Sequence, residues 1–199
     1  MIFLNRLVAS CQDNPEWTIK MALQGGAGGL RVNGVESIRI AKKADGAVPI
    51  IACAKIDRKD TSVRITPTVV SAVALAEAGA TLVAFDATAT PTRLHSVADM
   101  VAAIRGHGAM CVADVSTVKE GMDAWSLGVD LVATTLFTAV DYDAIQRLAN
   151  NGVRVMAEGN IRTPKEAKRC VEHGAEFVCV GSAISRPHHV TSWFVEALK

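Results

Sequence analysis

Lys55 closes the apolar run PIIACAK and Glu158 closes the run VRVMAE, which makes them the pair in this chain best suited to chemistry. An ammonium and a carboxylate at one rim form either an ion pair or an acid–base couple. Lysine is a competent base where low dielectric brings its pKa from about 10.4 towards neutrality; a facing ionised glutamate opposes that shift, so the two titrate as one unit. Such a couple can take a proton from carbon and return it. A different chemistry is written in Glu158-Gly159-Asn160 and in Gly181-Ser182-Ala183, the latter followed by Ile184-Ser185-Arg186-Pro187. Small residues with free backbone amides beside a helix start suit a phosphate group, and an arginine adds a charge-assisted donor. Gly159, Asn160, Gly181, Ser182 and Arg186 are therefore the candidate phosphate ligands.

These residues need a scaffold that delivers them to one place, and the chain carries a repeat that does so. A short apolar run, a polar residue ending it, an amphipathic stretch and a glycine recur along the whole length. Gly79 precedes TLVAFDA, Gly108 AMCVADV, Gly128 VDLVATT, Gly152 VRVMAEG and Gly174 AEFVCVG; LVASC, GGLRV and PIIACAK complete eight strands. The runs are continuous rather than alternating, as expected of parallel strands covered on both faces. The stretches 69–78 and 164–173 have helical spacing, and Thr163-Pro164 opens the second as an N-cap followed by proline. Eight strand–helix units predict one compact (β/α)8 barrel domain over residues 1–199. An open doubly wound sheet is the alternative; no Gly-x-Gly-x-x-Gly follows the first strand, and Gly25 to Gly29 reads as a helix exit and turn.

In a barrel the C-terminal strand ends face the active site. Here the runs end in Gln12, Arg31, Lys55, Asp86, Asp114, Thr134 with Thr135, Glu158, and Gly181 with Ser182. Buried parallel strands exclude ionisable side chains, so eight polar or glycine ends point to one functional rim. Gln12, Arg31, Asp86, Asp114 and Thr135 are the candidate substrate ligands.

Composition narrows the ligand. The 199 residues are 50% hydrophobic and 21% charged with a net charge of +1, which gives no basic stripe for nucleic acid. The start, Met1 to Arg6, has no charged segment ahead of an apolar one, and no run approaches a membrane span, so a cytoplasmic protein is expected. Cys11, Cys53, Cys111, Cys170 and Cys179 are far apart and mostly in apolar runs; they read as packing residues of a reducing compartment. His95, His107, His173, His188 and His189 have no metal-ligand spacing, and no metal is expected. Trp125 and Trp193 fall in helical stretches and read as packing anchors. A homodimer is compatible with all of this.

Taken in order, Ser10-Cys11-Gln12, Leu30 to Gly34, Lys55 with Asp57, Ile65-Thr66-Pro67-Thr68, Asp86-Ala87-Thr88, Ala113 to Thr117, Thr134-Thr135-Leu136, Ala157-Glu158-Gly159 and Gly181 to Pro187 resemble N-acetylmannosamine-6-phosphate 2-epimerases across nearly the whole chain. The resemblance implies Lys55 and Glu158 as the acid–base pair, Gln12, Arg31 and Asp114 on the sugar, and Gly159, Gly181, Ser182 and Arg186 around its phosphate. It implies a phosphorylated amino sugar as substrate and interconversion of N-acetylmannosamine 6-phosphate with N-acetylglucosamine 6-phosphate by proton exchange at carbon 2, without cofactor. The chain departs from the family pattern at Ile56 and Asn160, where arginines are usual, and in the short loop Phe137 to Val140. An aldolase or lyase using Lys55 as a Schiff-base nucleophile, another phosphosugar isomerase, and a phosphosugar-binding regulator are the alternatives.

Overall fold

Each apolar run folds into a strand and each amphipathic stretch into a helix. In a computed structural model describing residues 3–199, the order is β1 (Leu7–Ser10), α1 (Pro15–Gln24), β2 (Gly29–Asn33), α2 (Gly34–Ala44), β3 (Ile50–Cys53), α3 (Val69–Glu77), β4 (Leu82–Asp86), α4 (Val97–Gly106), β5 (Met110–Asp114), α5 (Val118–Ser126), β6 (Leu131–Ala133), α6 (Tyr142–Asn150), β7 (Val155–Glu158), α7 (Pro164–Glu172), β8 (Phe177–Val180), α8 (Ser182–Ser185) and α9 (Pro187–Ala197). Met1 and Ile2, part of the start considered above, lie outside the described residues. Every strand pairs in parallel with its neighbours and β8 closes onto β1, so the fold is a (β/α)8 barrel rather than an open sheet. No helix among the described residues is long and apolar enough to cross a membrane.

Side-chain alternation divides the strands between two cores. One set, with Leu30, Val32, Val83, Phe85, Val132, Val155 and Val178, packs against the helices. The other, with Val8, Ile51, Cys53, Leu82, Val112, Leu131, Met156, Phe177 and Cys179, fills the barrel. The registers Arg31↔Ile51, Asp114↔Ala133 and Glu158↔Cys179 put those three charged residues on the barrel-filling face. Their charge at that depth is what the rest of the site has to accommodate.

Local chemistry sets the element boundaries. Thr68, Ser96, Thr117 and Thr163 each cap a helix reciprocally with the residue three positions on. Gly79, Gly108, Gly128, Gly152 and Gly174 all adopt positive φ between helix and strand, as their spacing predicts. All five cysteines are free and buried. Burial pushes the thiols of Cys11 and Cys170 up to about 11 and that of Cys111 up to about 12, so they are packing groups rather than nucleophiles.

The end of the barrel opposite the functional rim is plugged by Phe3, whose ring meets Phe177 edge-on with centroids 4.7 Å apart. This plug requires glycine at the start of β2: a Cβ on Gly29 would lie 2.3 Å from the Phe3 ring. Gly29→Ala is expected to lower stability by about 1–3 kcal/mol through overpacking, measured as the urea unfolding free energy. The cost should shrink in a Phe3→Ala background, because the two residues share one contact; equal costs in both backgrounds would place the strain elsewhere.

Candidate active site

At the centre of the barrel Arg31 is fully buried, with 0% exposure, as is Asp114. The guanidinium makes a bidentate pair with Asp114, Nη2 to Oδ2 at 2.6 Å and Nη1 to Oδ1 at 3.0 Å, and Nη1 also donates to Glu158 Oε2 at 2.5 Å. Thr135 Oγ1 donates to Asp114 Oδ1 at 2.5 Å. One cation therefore faces two carboxyl groups. Burial pushes Glu158 above the ordinary glutamate value near 4.5; Arg31 opposes the rise and Asp114 adds to it. The guanidinium's charge is matched by Asp114, and Glu158 is the group best placed to hold a proton.

These distances revise two expectations. Arg31 does not end its strand: β2 continues to Asn33, so Arg31 lies in the barrel interior beneath the rim and Asn33 takes the rim position. Glu158 pairs with Arg31 rather than with Lys55. Lys55 lies two residues beyond β3, exposed at the mouth rather than enclosed, with no acidic partner at ion-pair distance among the described residues. Its amide donates to Asn33 Oδ1 at 2.8 Å.

Above this cluster lies a cavity of about 460 Å³ lined by Ser10, Gln12, Lys55, Thr135, Glu158, Gly159, Asn160, Ile161, Arg162, Cys179, Gly181, Ser182, Arg186, His189 and Trp193. Both proposed acid–base residues and all five candidate phosphate ligands thus share one hollow. Gln12 and Thr135 line it as well, whereas Arg31 and Asp114 reach it only through Glu158 and Thr135. Asp86 is not brought in: its carboxylate is held by Arg93 at 3.0 Å and by the amide and hydroxyl of Thr88. A larger hollow of about 750 Å³ lies between α1 and α2, outside the barrel and lined by their charged outer faces, with none of these residues.

The β7–β8 side of the cavity is built from small residues and amides. Gly159 has φ 99°, and a Cβ there would approach the Thr135 carbonyl oxygen to 3.3 Å. Asn160 also adopts positive φ, at 57°, and donates from Nδ2 to the Thr138 carbonyl. Ser182 and Ala183 open α8, where the first amides of a helix have no intrahelical acceptor. Arg186 is tied to Asp13 at 2.5 Å, and its Nη1 lies 3.4 Å from Ser182 Oγ. Gln12 donates to Ser10 Oγ, leaving its buried Oε1 without a partner among the described residues.

Six lining residues were not singled out as site residues from the sequence: Ser10, Ile161, Arg162, Cys179, His189 and Trp193. Arg162, two residues beyond Asn160, stacks over the Trp193 ring, 4.9 Å from its centroid. Trp193 is half-buried on α9 and faces the cavity, so it is not the core anchor expected; Trp125 does pack against the core. The available signal was helical spacing, since Arg186, His189 and Trp193 fall on one face at intervals of three and four.

Comparison with known proteins bears on this arrangement. Residues 18–199 match the model of the family described as "Putative N-acetylmannosamine-6-phosphate epimerase". The chain belongs to this family. It is 42% identical to a protein of Aliivibrio fischeri, over 94% of this chain and 86% of the relative, and 41% identical to one of Yersinia pseudotuberculosis, over 98% and 91%; both are named "Putative N-acetylmannosamine-6-phosphate 2-epimerase". Among solved structures it is similar to the N-acetylmannosamine-6-phosphate 2-epimerase of Clostridium perfringens, with a TM-score of 0.92, 32% identity and coverage of 98% of this chain and 94% of that one. Membership of this epimerase family agrees with the resemblance read from the motifs.

The raised Glu158 carboxyl makes a testable statement about stability. A group whose native pKa exceeds its unfolded value stabilises the fold fully below the unfolded value, and that contribution is lost as pH rises through the native value. Between the ordinary range near 4.5 and its native value, the folded chain binds the extra proton. Wild-type stability should therefore fall relative to Glu158→Gln as pH rises above the ordinary glutamate value near 4.5, measured by urea unfolding. A difference that stays constant across that range would mean Glu158 is not the proton-holding group.

Proposed function

We propose that this protein interconverts N-acetylmannosamine 6-phosphate and N-acetylglucosamine 6-phosphate by removing the proton on carbon 2 and returning it on the opposite face. The reading is carried by one observation: the surplus carboxyl of Glu158, held by Arg31, lines the same cavity as the Lys55 side chain, which has no acidic partner among the described residues. Family membership supports the substrate, a phosphorylated amino sugar, and the isomerase class. An aldolase or a non-catalytic regulator is not favoured. Buried free cysteines accord with a reducing, cytoplasmic setting.

The chemistry follows from the opened sugar, whose aldehyde lies beside carbon 2. Lys55 takes the proton while the electrons of the broken C–H bond move onto the aldehyde oxygen as an enolate. Glu158, whose protonated form burial favours, delivers a proton to the other face and re-forms a C–H bond. Arg31 then faces two carboxylates and stabilises the charge that Glu158 acquires. In the reverse direction Glu158 is the base and Lys55 the acid. The carbonyl itself holds the transient charge, so the step needs no redox cofactor.

The cluster of Gly159, Asn160, Gly181, Ser182 and Arg186 is where we place the phosphate, close to the first amides of α8. Gln12 and Thr135, which line the same cavity, are assigned as contacts for the sugar, and the Gln12 Oε1, unpartnered among the described residues, suits a donor such as the acetamido N–H. Anchoring the remote phosphate lets its binding energy orient carbon 2.

Two measurements test the reading. Turnover in deuterated water should place deuterium at carbon 2, and Lys55→Ala and Glu158→Gln should each lower kcat by roughly 10²–10⁴-fold in folded protein. Epimerisation that excludes solvent deuterium, or a folded Lys55→Ala with near-normal turnover, would sink it. Arg186→Ala should raise KM and weaken competition by inorganic phosphate with a smaller effect on kcat; unchanged values for both would move the phosphate elsewhere.

A further inference from the structure

Two residues with no role so far, Asn33 and Thr66, both grip the backbone around Lys55. We propose that Asn33 and Thr66 are positioning residues that fix Lys55 at the cavity rim and act on the proton-transfer step through its backbone. The inference rests on the reading of Lys55 as an acid–base residue.

The need for such residues comes from the ladder. The β3–β4 pairing runs only through Ile51↔Leu82 and Ala52↔Val83 and then stops, leaving Ala54 and Lys55 beyond it. The chain instead turns back on itself, with a single antiparallel bridge between Lys55 and Ile65 and a bond from Ile56 N to the Arg64 carbonyl at 2.9 Å. Thr66 supplies what the ladder lacks. Its hydroxyl donates to the Ala84 carbonyl on β4 at 2.6 Å and accepts from the Ala54 amide at 3.1 Å, while its own amide donates to the Ala54 carbonyl at 2.7 Å. One side chain thereby joins the residue before Lys55 to the neighbouring strand.

Thr66 is held there against its own preferences. It is buried, with φ 47°. A β-branched residue rarely enters that left-handed region, and a residue preceding proline, as Thr66 precedes Pro67, is biased towards extended conformations. Glycine would adopt the backbone freely but would leave the Ala54 amide and the Ala84 carbonyl without their shared partner. Strain of this kind persists where the surroundings over-determine a residue, and it concentrates at functional sites.

Asn33 makes a parallel departure from the other side. It occupies the N-cap position of α2, where an asparagine oxygen normally accepts from an amide of the first helical turn. Here it makes no side-chain cap bond and accepts from the Lys55 amide at 2.8 Å instead. Lys55 is thus tied on one side to the end of β2 and, through Ala54, to β4 on the other.

The experiment measures kcat and KM on N-acetylmannosamine 6-phosphate, and the inhibition constant of inorganic phosphate, for Thr66→Val, Thr66→Ser, Asn33→Ala, Asn33→Asp and Lys55→Ala. Valine keeps the shape and removes the hydroxyl; serine and aspartate keep the hydrogen-bonding oxygen. Misplacing a catalytic group by about 1 Å costs up to about 100-fold, so Thr66→Val and Asn33→Ala should lose at least about tenfold in kcat, with KM and the phosphate constant within about twofold. Thr66→Ser and Asn33→Asp should recover most of that loss. A folded Thr66→Val with wild-type kcat, or a loss that Thr66→Ser does not restore, overturns the proposal. Should Thr66→Val not fold, the Asn33 variants decide: wild-type kcat in Asn33→Ala overturns it. An active Lys55→Ala removes the acid–base reading and this inference together, whereas an inactive Lys55→Ala beside a fully active Thr66→Val removes this inference alone.

Discussion

The Arg31 guanidinium sits where water does not reach, and the barrel has to supply everything that water would have given it. Burying an ion costs several kcal/mol unless partners compensate. Asp114 on β5 supplies two acceptors, and Glu158 on β7 supplies a third. Because Arg31 belongs to β2, this one cation ties three separated strands together across the interior. Thr135, just past β6, extends the arrangement through Asp114, while the buried Arg31 Nε has no partner among the described residues. The same arrangement leaves one carboxyl more than the cation can match, so the interaction that joins the strands also sets the raised pKa of Glu158 at the cavity floor.

The rim above it is lopsided. On the β7–β8 side, glycines, an asparagine in a left-handed conformation and the start of α8 leave room and free amides. On the β4 side, Arg93 folds over Asp86 and seals that strand end into a closed polar knot. Lys55 stands at the end of β3, between the sealed side and the cavity. The mouth therefore presents a wall of small residues and free amides on one side, a lysine opposite, and a carboxyl at the bottom.

Much of this was legible in the order of residues. The glycine that precedes each of the last five strands, the continuous apolar runs and the Thr163-Pro164 start all follow from local chemistry, and local chemistry is written in the chain. The meeting of Lys55, Glu158 and the Gly159 and Gly181 segments follows from barrel geometry once the strands are counted. Depth was less visible. Arg31 reads as the close of an apolar run because charge is usually a surface signal, yet alternation continues through Val32 to Asn33 and turns Arg31 inward. Asp86 looks equivalent to Asp114 in one dimension; Arg93, seven residues further on, distinguishes them only when the loop folds back. Which carboxyl meets which cation depends on registers between distant strands, and that information is not local.

One wall of the cavity stands on an element with little attachment. None of the residues of α9 is buried, yet this helix begins after Arg186 and carries His189 and Trp193 into the hollow. Its ties on that side are polar: Arg186 to Asp13, and Arg162 over the Trp193 ring. Elements with so few buried apolar contacts open at a lower free energy than the barrel they rest on. The backbone amides of α9 will accordingly exchange with solvent ahead of those of β5 or β7. An anion bridging Arg186 and the start of α8 would slow that exchange, coupling occupancy of the site to the order of the chain's last helix.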